Sequence, residues 1–177
     1  MKKAIGYILV ALVAANSFWS CEKDDICAEG TPTTPNIIIA FYDIDNPLQA
    51  NPISNLKYFV EGRTDTITIT ASSNTIKVPL EVTAPSTRWG FILQTPAPGG
   101  NVTLNTDYLT FTYTTQQLYV SRACGYKSLF YLAEDTDAVP NPLLTDAPGE
   151  NLLWIKDIRV EKTNIEDENE AHINLYY

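Results

Sequence analysis

From Asn36 to Tyr177 apolar side chains return at every second position in short runs, and nowhere with sustained helical periodicity. A two-residue period puts those side chains on one face of an extended chain, so the region reads as strands separated by turns. Ile37, Ile39 and Phe41 share one face of the first strand, and Ile38, Ala40 and Tyr42 the other. Both faces are apolar, which predicts a central strand. Lys57–Glu61 is a second short strand. Thr66–Ala71 alternates with Ile67, Ile69 and Ala71 inward and Thr66, Thr68 and Thr70 outward. Ser72-Ser73-Asn74 turns the chain, and Thr75–Val82 returns as the other arm of a hairpin with Ile76, Val78, Leu80 and Val82 inward. Pro79 falls on the outward phase, which marks an edge strand. Trp89, Phe91 and Leu93 carry the next strand, and Pro96-Ala97-Pro98-Gly99-Gly100 breaks it. Asn101–Leu104, Tyr108–Thr115 (Leu109, Phe111 and Tyr113 on one face), Leu118–Cys124 and Lys127–Ala133 follow, with Gly125 as turn or bulge. Asp135–Gly149, with three prolines, reads as a long loop. Leu152–Glu161 and Ala171–Tyr177 pair as a terminal hairpin. Many short strands and no helical segment predict an all-β fold. A single antiparallel immunoglobulin-like β-sandwich over residues 36–177 is expected, with an open β-barrel as the alternative.

The N-terminus has a different grammar. Met1-Lys2-Lys3 is basic, and Ala4–Ala15 is an apolar run of 12 residues, too short to span a bilayer comfortably and suited to a signal-peptide core. Ser20-Cys21 follows shortly after. A Cys directly behind a small residue at this position resembles a lipobox, the signal for acylation of the Cys and cleavage before it. Phe18 stands where Leu is usual and Trp19 where a small residue is usual. The competing reading is an ordinary signal peptide with a Cys at its cleavage point. Residues 1–20 are thus predicted to be a lipoprotein signal peptide and residues 21–35 a lipidated (palmitate-type) tether and lead-in loop. Cleavage would remove Lys2 and Lys3 and take the net charge from −9 to −11.

With Cys21 lipidated, two cysteines remain, Cys27 and Cys124. An even count in an oxidising compartment predicts a disulfide between them, against the alternative of two buried thiols. Only residues 22–26 separate the anchor from Cys27, and five extended residues reach at most about 18 Å.

The charge balance argues against nucleic acid, because 12 Lys+Arg against 21 Asp+Glu provides no basic face for phosphates. One His and three Cys leave few ligands for zinc, iron or copper. His172 is expected to be a partly exposed sheet residue. Asp43 and Asp45 with Asn46 offer oxygen ligands to calcium, as do Asp135 and Asp137, but such residues more often bond their own turn backbone. Glu166, Asp167, Glu168 and Glu170 are expected to be a solvated loop. Paired carboxylates suffice in principle for glycoside hydrolysis. Tyr108, Tyr119, Tyr126, Tyr131, Tyr176 and Trp154 are candidates for an aromatic glycan platform or, more simply, for cross-strand and core packing.

Four stretches together, CEKDDICAEGTPTTP (21–35), FYDIDNP (41–47), YVSRACGYKSLFYL (119–132) and DEN (167–169) before HINLYY, resemble a family of uncharacterised Bacteroidota-type lipoproteins classed as a domain of unknown function. The resemblance implies a lipoprotein with a β-rich domain and carries no activity. Cys21-Glu22-Lys23-Asp24-Asp25 resembles the surface-export signal of such lipoproteins, which assigns Lys23, Asp24 and Asp25 to export. Asp65-Thr66-Ile67 resembles the O-glycosylation site of the same bacterial group, with Thr66 as acceptor. The expectation is a membrane-anchored cell-envelope protein, non-enzymatic and without a cofactor, acting as a structural or binding module. A glycan- or ligand-binding accessory protein is the alternative and an envelope hydrolase the third reading. Its contacts would be the membrane, through the lipid on Cys21, and a protein or glycan partner. It would sit in the outer membrane facing the exterior, with the periplasmic face as the alternative.

Overall fold

The computed structural model describes residues 26–177 apart from Asp135, Asp137, Glu150 and Asn151. Residues 1–20 (the expected signal peptide), Cys21, the Lys23-Asp24-Asp25 triplet and the Asp135/Asp137 pair lie outside the described residues. The chain forms two compact units, one of Pro32–Leu118 with Lys127–Tyr177 and a smaller one of the residues up to Thr31 with Tyr119–Tyr126.

Eleven strands are described: β1 (Ile37–Tyr42), β2 (Leu56–Val60), β3 (Thr66–Ile69), β4 (Thr75–Val78), β5 (Ser86–Pro96), β6 (Val102–Ser121), β7 (Gly125–Leu132), β8 (Leu143–Asp146), β9 (Asp157–Val160), β10 (Asn164–Ile165) and β11 (Ile173–Tyr176). A three-residue 3-10 turn at Pro98–Gly100 is the sole helical element among the described residues. The strands make a four-stranded sheet in the order β4-β1-β11-β9 and a seven-stranded sheet in the order β10-β7-β6-β5-β2-β3, with β8 added on β6. The fold is all-β, and a β-sandwich or open barrel describes it.

In the larger unit both sheets contribute to one core. Ile37, Ile39, Phe41, Ile76, Val78, Ile173 and Leu175 come from the small sheet, and Leu56, Tyr58, Trp89, Phe91, Leu109, Phe111, Phe130 and Ile165 from the large one. β1 is central and buried on both faces, as its doubly apolar sequence requires. Its pairing with β11 is parallel, Ile39 opposite Ile173, so the sheet is not purely antiparallel. The partners are the first and last strands, and the long chain between them meets the crossover demand of a parallel pair.

Three expectations are corrected. β3 and β4 do not form a hairpin. β3 pairs with β2, whereas β4 pairs with β1 in the other sheet, so Ser72-Ser73-Asn74 carries the chain between sheets. Ile67 is accordingly 42% exposed and Val82 47% exposed, although Val78, Leu80, Phe91, Leu109 and Phe111 are buried as alternation requires. Period-2 spacing assigns a side chain to a face but cannot say whether that face is covered. The predicted stretches Asn101–Leu104, Tyr108–Thr115 and Leu118–Cys124 are not separate strands: Val102 to Ser121 run as the single 20-residue β6, and Arg122, Ala123 and Cys124 form the turn that follows it. Finally, the predicted loop after Asp135 contains β8, paired with β6 from Asp107 to Thr110. The terminal hairpin is present as β9 and β11, Val160 opposite Ile173, with β10 inserted between them and paired to β7.

Candidate functional site

The most developed concavity of the larger unit lies where β2 and β3 meet the link from β4 to β5. Val60, Ile67, Pro79, Leu80, Val82 and Trp89 give it an apolar lining, and Arg63, Asp65 and Glu81 a charged rim. Its volume is about 570 Å³. β3 ends the large sheet and β4 the small one, so the groove is bordered by two edge strands.

The link forming one wall is held from below. The indole Nε1 of Trp89 donates to the Pro79 carbonyl at 3.0 Å. Tyr113 hydroxyl donates to the Glu81 carbonyl at 2.7 Å, which leaves the Thr87 hydroxyl to donate to Tyr113 across 2.5 Å while accepting from the Glu81 N–H at 2.9 Å. Each hydroxyl in this buried chain has a defined donor and acceptor role, which fixes the wall's backbone. Burial of its hydroxyl pushes the Tyr113 pKa up, so it stays a donor. Across the rim Arg63 meets Glu81 at 3.0 Å, an exposed pair of small energetic weight. An apolar lining with a polar rim fits a ligand with one apolar face and a hydroxyl- or amide-bearing edge.

Thr66 lies beside this groove between its lining residues Asp65 and Ile67, and it is exposed. The aromatic candidates do not form one platform. Trp154 and Tyr176 are buried, with the Trp154 indole donating to the Phe91 carbonyl. Tyr108 lies under the Arg88 guanidinium at 4.3 Å, and Tyr131 hydroxyl bonds Gln116 and Glu166. Tyr119 and Tyr126 meet edge to face in the smaller unit, with centroids 5.3 Å apart. That unit also holds the Cys27–Cys124 disulfide, with Cα atoms 4.8 Å apart and a sequence separation of 97.

Asp43 spends one carboxylate oxygen on its own turn, accepting from the N–H groups of Asp45 at 2.8 Å and Asn46 at 3.4 Å. Among the described residues no group of three His, Cys, Asp or Glu is arranged to hold a metal. In the acidic stretch Glu166, Asp167 and Glu170 are exposed as expected, and Glu168 alone is partly buried. Glu168 accepts from the Asn36 backbone N–H at 2.8 Å, the Asn36 amide at 2.6 Å and Lys77 at 2.5 Å. The Lys77 ammonium leads in holding its pKa below the usual carboxylate range.

His172 is 1% exposed, not partly exposed as its sequence setting suggests. Its Nδ1 accepts from the Ile38 N–H at 3.0 Å, and its own N–H donates to the Ile38 carbonyl at 2.9 Å. Burial, the leading cause, depresses its pKa and keeps the ring neutral.

Two buried polar residues escaped sequence reasoning. Asp107 is fully buried on β6, accepts from the Ile155 N–H at 2.8 Å and keeps Oδ1 without a hydrogen bond. Burial, outweighing that bond, pushes its pKa up to about 6. A carboxylate of that kind is a general-acid candidate; Asp146 stands opposite it on β8 and its charge adds to the rise, but Asp107 is fully buried and lines neither the groove nor the three other concavities described. Asn141 accepts from the Thr112 N–H at 2.9 Å and donates to the carbonyls of Thr112 and Ala133, each at 2.9 Å. The signal for both was a polar residue inside an otherwise alternating or proline-marked stretch, which alone does not distinguish burial from exposure.

A family model described as a family of unknown function (DUF6452) matches residues 55–177. No curated protein matches the chain, and no solved structure does.

Proposed function

The chain belongs to the DUF6452 family of unknown function, and from that premise we propose that it is a lipid-anchored, non-enzymatic binding module of the cell envelope. The observation that carries the reading is the N-terminal sequence, a basic start and an apolar run of 12 residues closing on Ser20-Cys21. The joined Cys27 and Cys124 support it, because such a bond persists in an oxidising compartment. Cys21 carries the acyl chains, and residues 22–26 form the tether. Lys23, Asp24 and Asp25 direct the protein to the outer face of the outer membrane. The test is the mass of the N-terminal peptide from membranes, which should begin at Cys21 and carry acyl groups. Cys21→Ser should release the protein from the membrane. A peptide beginning elsewhere, or an unmodified Cys21, overturns the anchor. Protease shaving of intact cells should digest the domain, and changing the triplet to Ala should protect it. A wild type cut only after lysis places the protein on the periplasmic face.

The groove bordered by β3 and β4 supports the finer reading of an accessory protein that binds a glycan or another ligand with an apolar face. A hydrolase is less well supported, because Asp107, the one carboxyl among the described residues that is pushed strongly upward, is fully buried and engaged with the Ile155 N–H. Oligosaccharide titration by calorimetry tests the groove, and binding undiminished by Ile67→Asp would place the ligand elsewhere.

A further inference from the structure

The smaller unit exposes apolar surface out of proportion to its size. Ile26 is 83% exposed, Tyr119 56% and Tyr126 66%. Ile26, Ala28, Thr31, Tyr119, Arg122 and Cys124 border an open concavity of about 580 Å³. The turn that presents them is set by the Cys124 N–H donating to Ser121 Oγ at 3.0 Å and by Gly125, whose φ of 69° suits a residue without a side chain. The disulfide joins the segment carrying Ile26 to this turn. Glu29 and Arg122 are the only charged residues described in the unit and balance each other, while the tether beside them (Glu22, Lys23, Asp24 and Asp25) carries a net −2.

We propose that this turn is a membrane-contact surface, with Tyr119, Tyr126 and Ile26 in the headgroup layer of a phospholipid bilayer and Arg122 directed to lipid phosphates. The inference rests on lipidation of Cys21 and names the surface that the anchored protein applies to its membrane. Tyrosines favour the boundary between hydrocarbon and water, where the ring is buried and the hydroxyl stays wet. The tether fits the task. Five residues extend at most about 18 Å, enough to cross one headgroup layer of several ångströms and short enough to hold Cys27 within about 18 Å of the lipid on Cys21.

The experiment uses the full chain, produced with its leader in a Gram-negative host and purified from membranes into phosphatidylethanolamine vesicles with or without brominated phosphatidylcholine. One variant carries Tyr126→Trp and a control carries Leu48→Trp, at a position 95% exposed in the larger unit. Trp89 and Trp154, both buried, supply a constant background. Acylation of Cys21 is read from the N-terminal peptide of the same samples. Brominated lipid is expected to quench Tyr126→Trp and leave Leu48→Trp unchanged. Acylated protein with neither reporter quenched overturns the contact and leaves the anchor standing. Quenching of both reporters shows the chain lying flat and overturns the assignment to this turn. Unmodified Cys21 removes the anchor and overturns both readings.

Discussion

The Nδ1 of His172 is occupied by the Ile38 N–H, so protonating the ring would break that bond and place a charge in the core. Its folded pKa lies below the unfolded value of about 6.5, so its contribution is complete above that pH and is lost as the pH falls. Asp107 works in the opposite sense. Its pKa rises from 3.8 to about 6 on folding, so the folded state holds the proton more tightly and stability declines as pH rises between those values. The cost above pH 6 is at most about 3 kcal/mol. Urea unfolding across pH should therefore show Asp107→Asn gaining on the wild type between about pH 4 and 6. His172→Asn, which keeps an acceptor near the Nδ1 position, should flatten the loss below about pH 6.5 while costing about 1–3 kcal/mol in packing at neutral pH. Unchanged slopes would mean that neither group titrates in the folded protein. Neither residue's burial was legible in the sequence. The terminal hairpin was legible as a pairing, but not that it is covered where His172 lies, because the N–H that its ring accepts belongs to a strand 134 residues away.

Among the elements, the strands that were read best are those with an apolar face packed on the opposite sheet, β1, β5 and the middle of β6. The misread ones are decided by long-range pairing. Thr66–Ile69 and Thr75–Val78 look like a hairpin because a turn separates them, and nothing local tells β4 to pair with β1. β8 was hidden because prolines flank it and its four residues gain stability only against β6. The buried side chain of Asn141, which bonds the backbone of Thr112 and Ala133, secures the approach to it. Asn141→Ala is expected to cost about 1–3 kcal/mol, the penalty for leaving a buried backbone group unpaired. The groove was equally invisible, because its lining comes from β2, β3, β5 and the link after β4. Its lining contrasts in energetics with the core. Phe111 is fully buried, and Phe111→Ala should cost about 3–5 kcal/mol. Ile67 is 42% exposed on an edge strand, and Ile67→Ala should cost less than about 1 kcal/mol. Chemical denaturation of the two variants checks this, and a loss at Ile67 rivalling that at Phe111 would show the groove side chain to be core.

At the scale of the whole molecule the Cys27–Cys124 bond has two separable consequences. It closes a loop of nearly a hundred residues in the unfolded chain, worth about 4–5 kcal/mol on the chain-entropy account, a large share of an ordinary domain's stability. The pairing was legible because only two cysteines remain once Cys21 is set aside, whereas the strand pairings needed the fold. The second consequence belongs to the anchored protein. With the bond intact, residues 22–26 limit the tether to about 18 Å from a lipid on Cys21. With Cys27 and Cys124 both changed to Ser, the tether runs through to Thr33, before Thr34 is held by the Ser128 N–H at 2.9 Å, and its reach grows to roughly 43 Å. The double variant should therefore unfold at lower denaturant and, while still folded, stand off further from the bilayer. Energy transfer from a dye at Leu48, exposed in the larger unit, to a headgroup dye reads the second effect in the same vesicles. Lower stability with unchanged transfer would mean that the bond holds the fold alone. Lower transfer would identify it as the element that sets the height of the protein above its membrane.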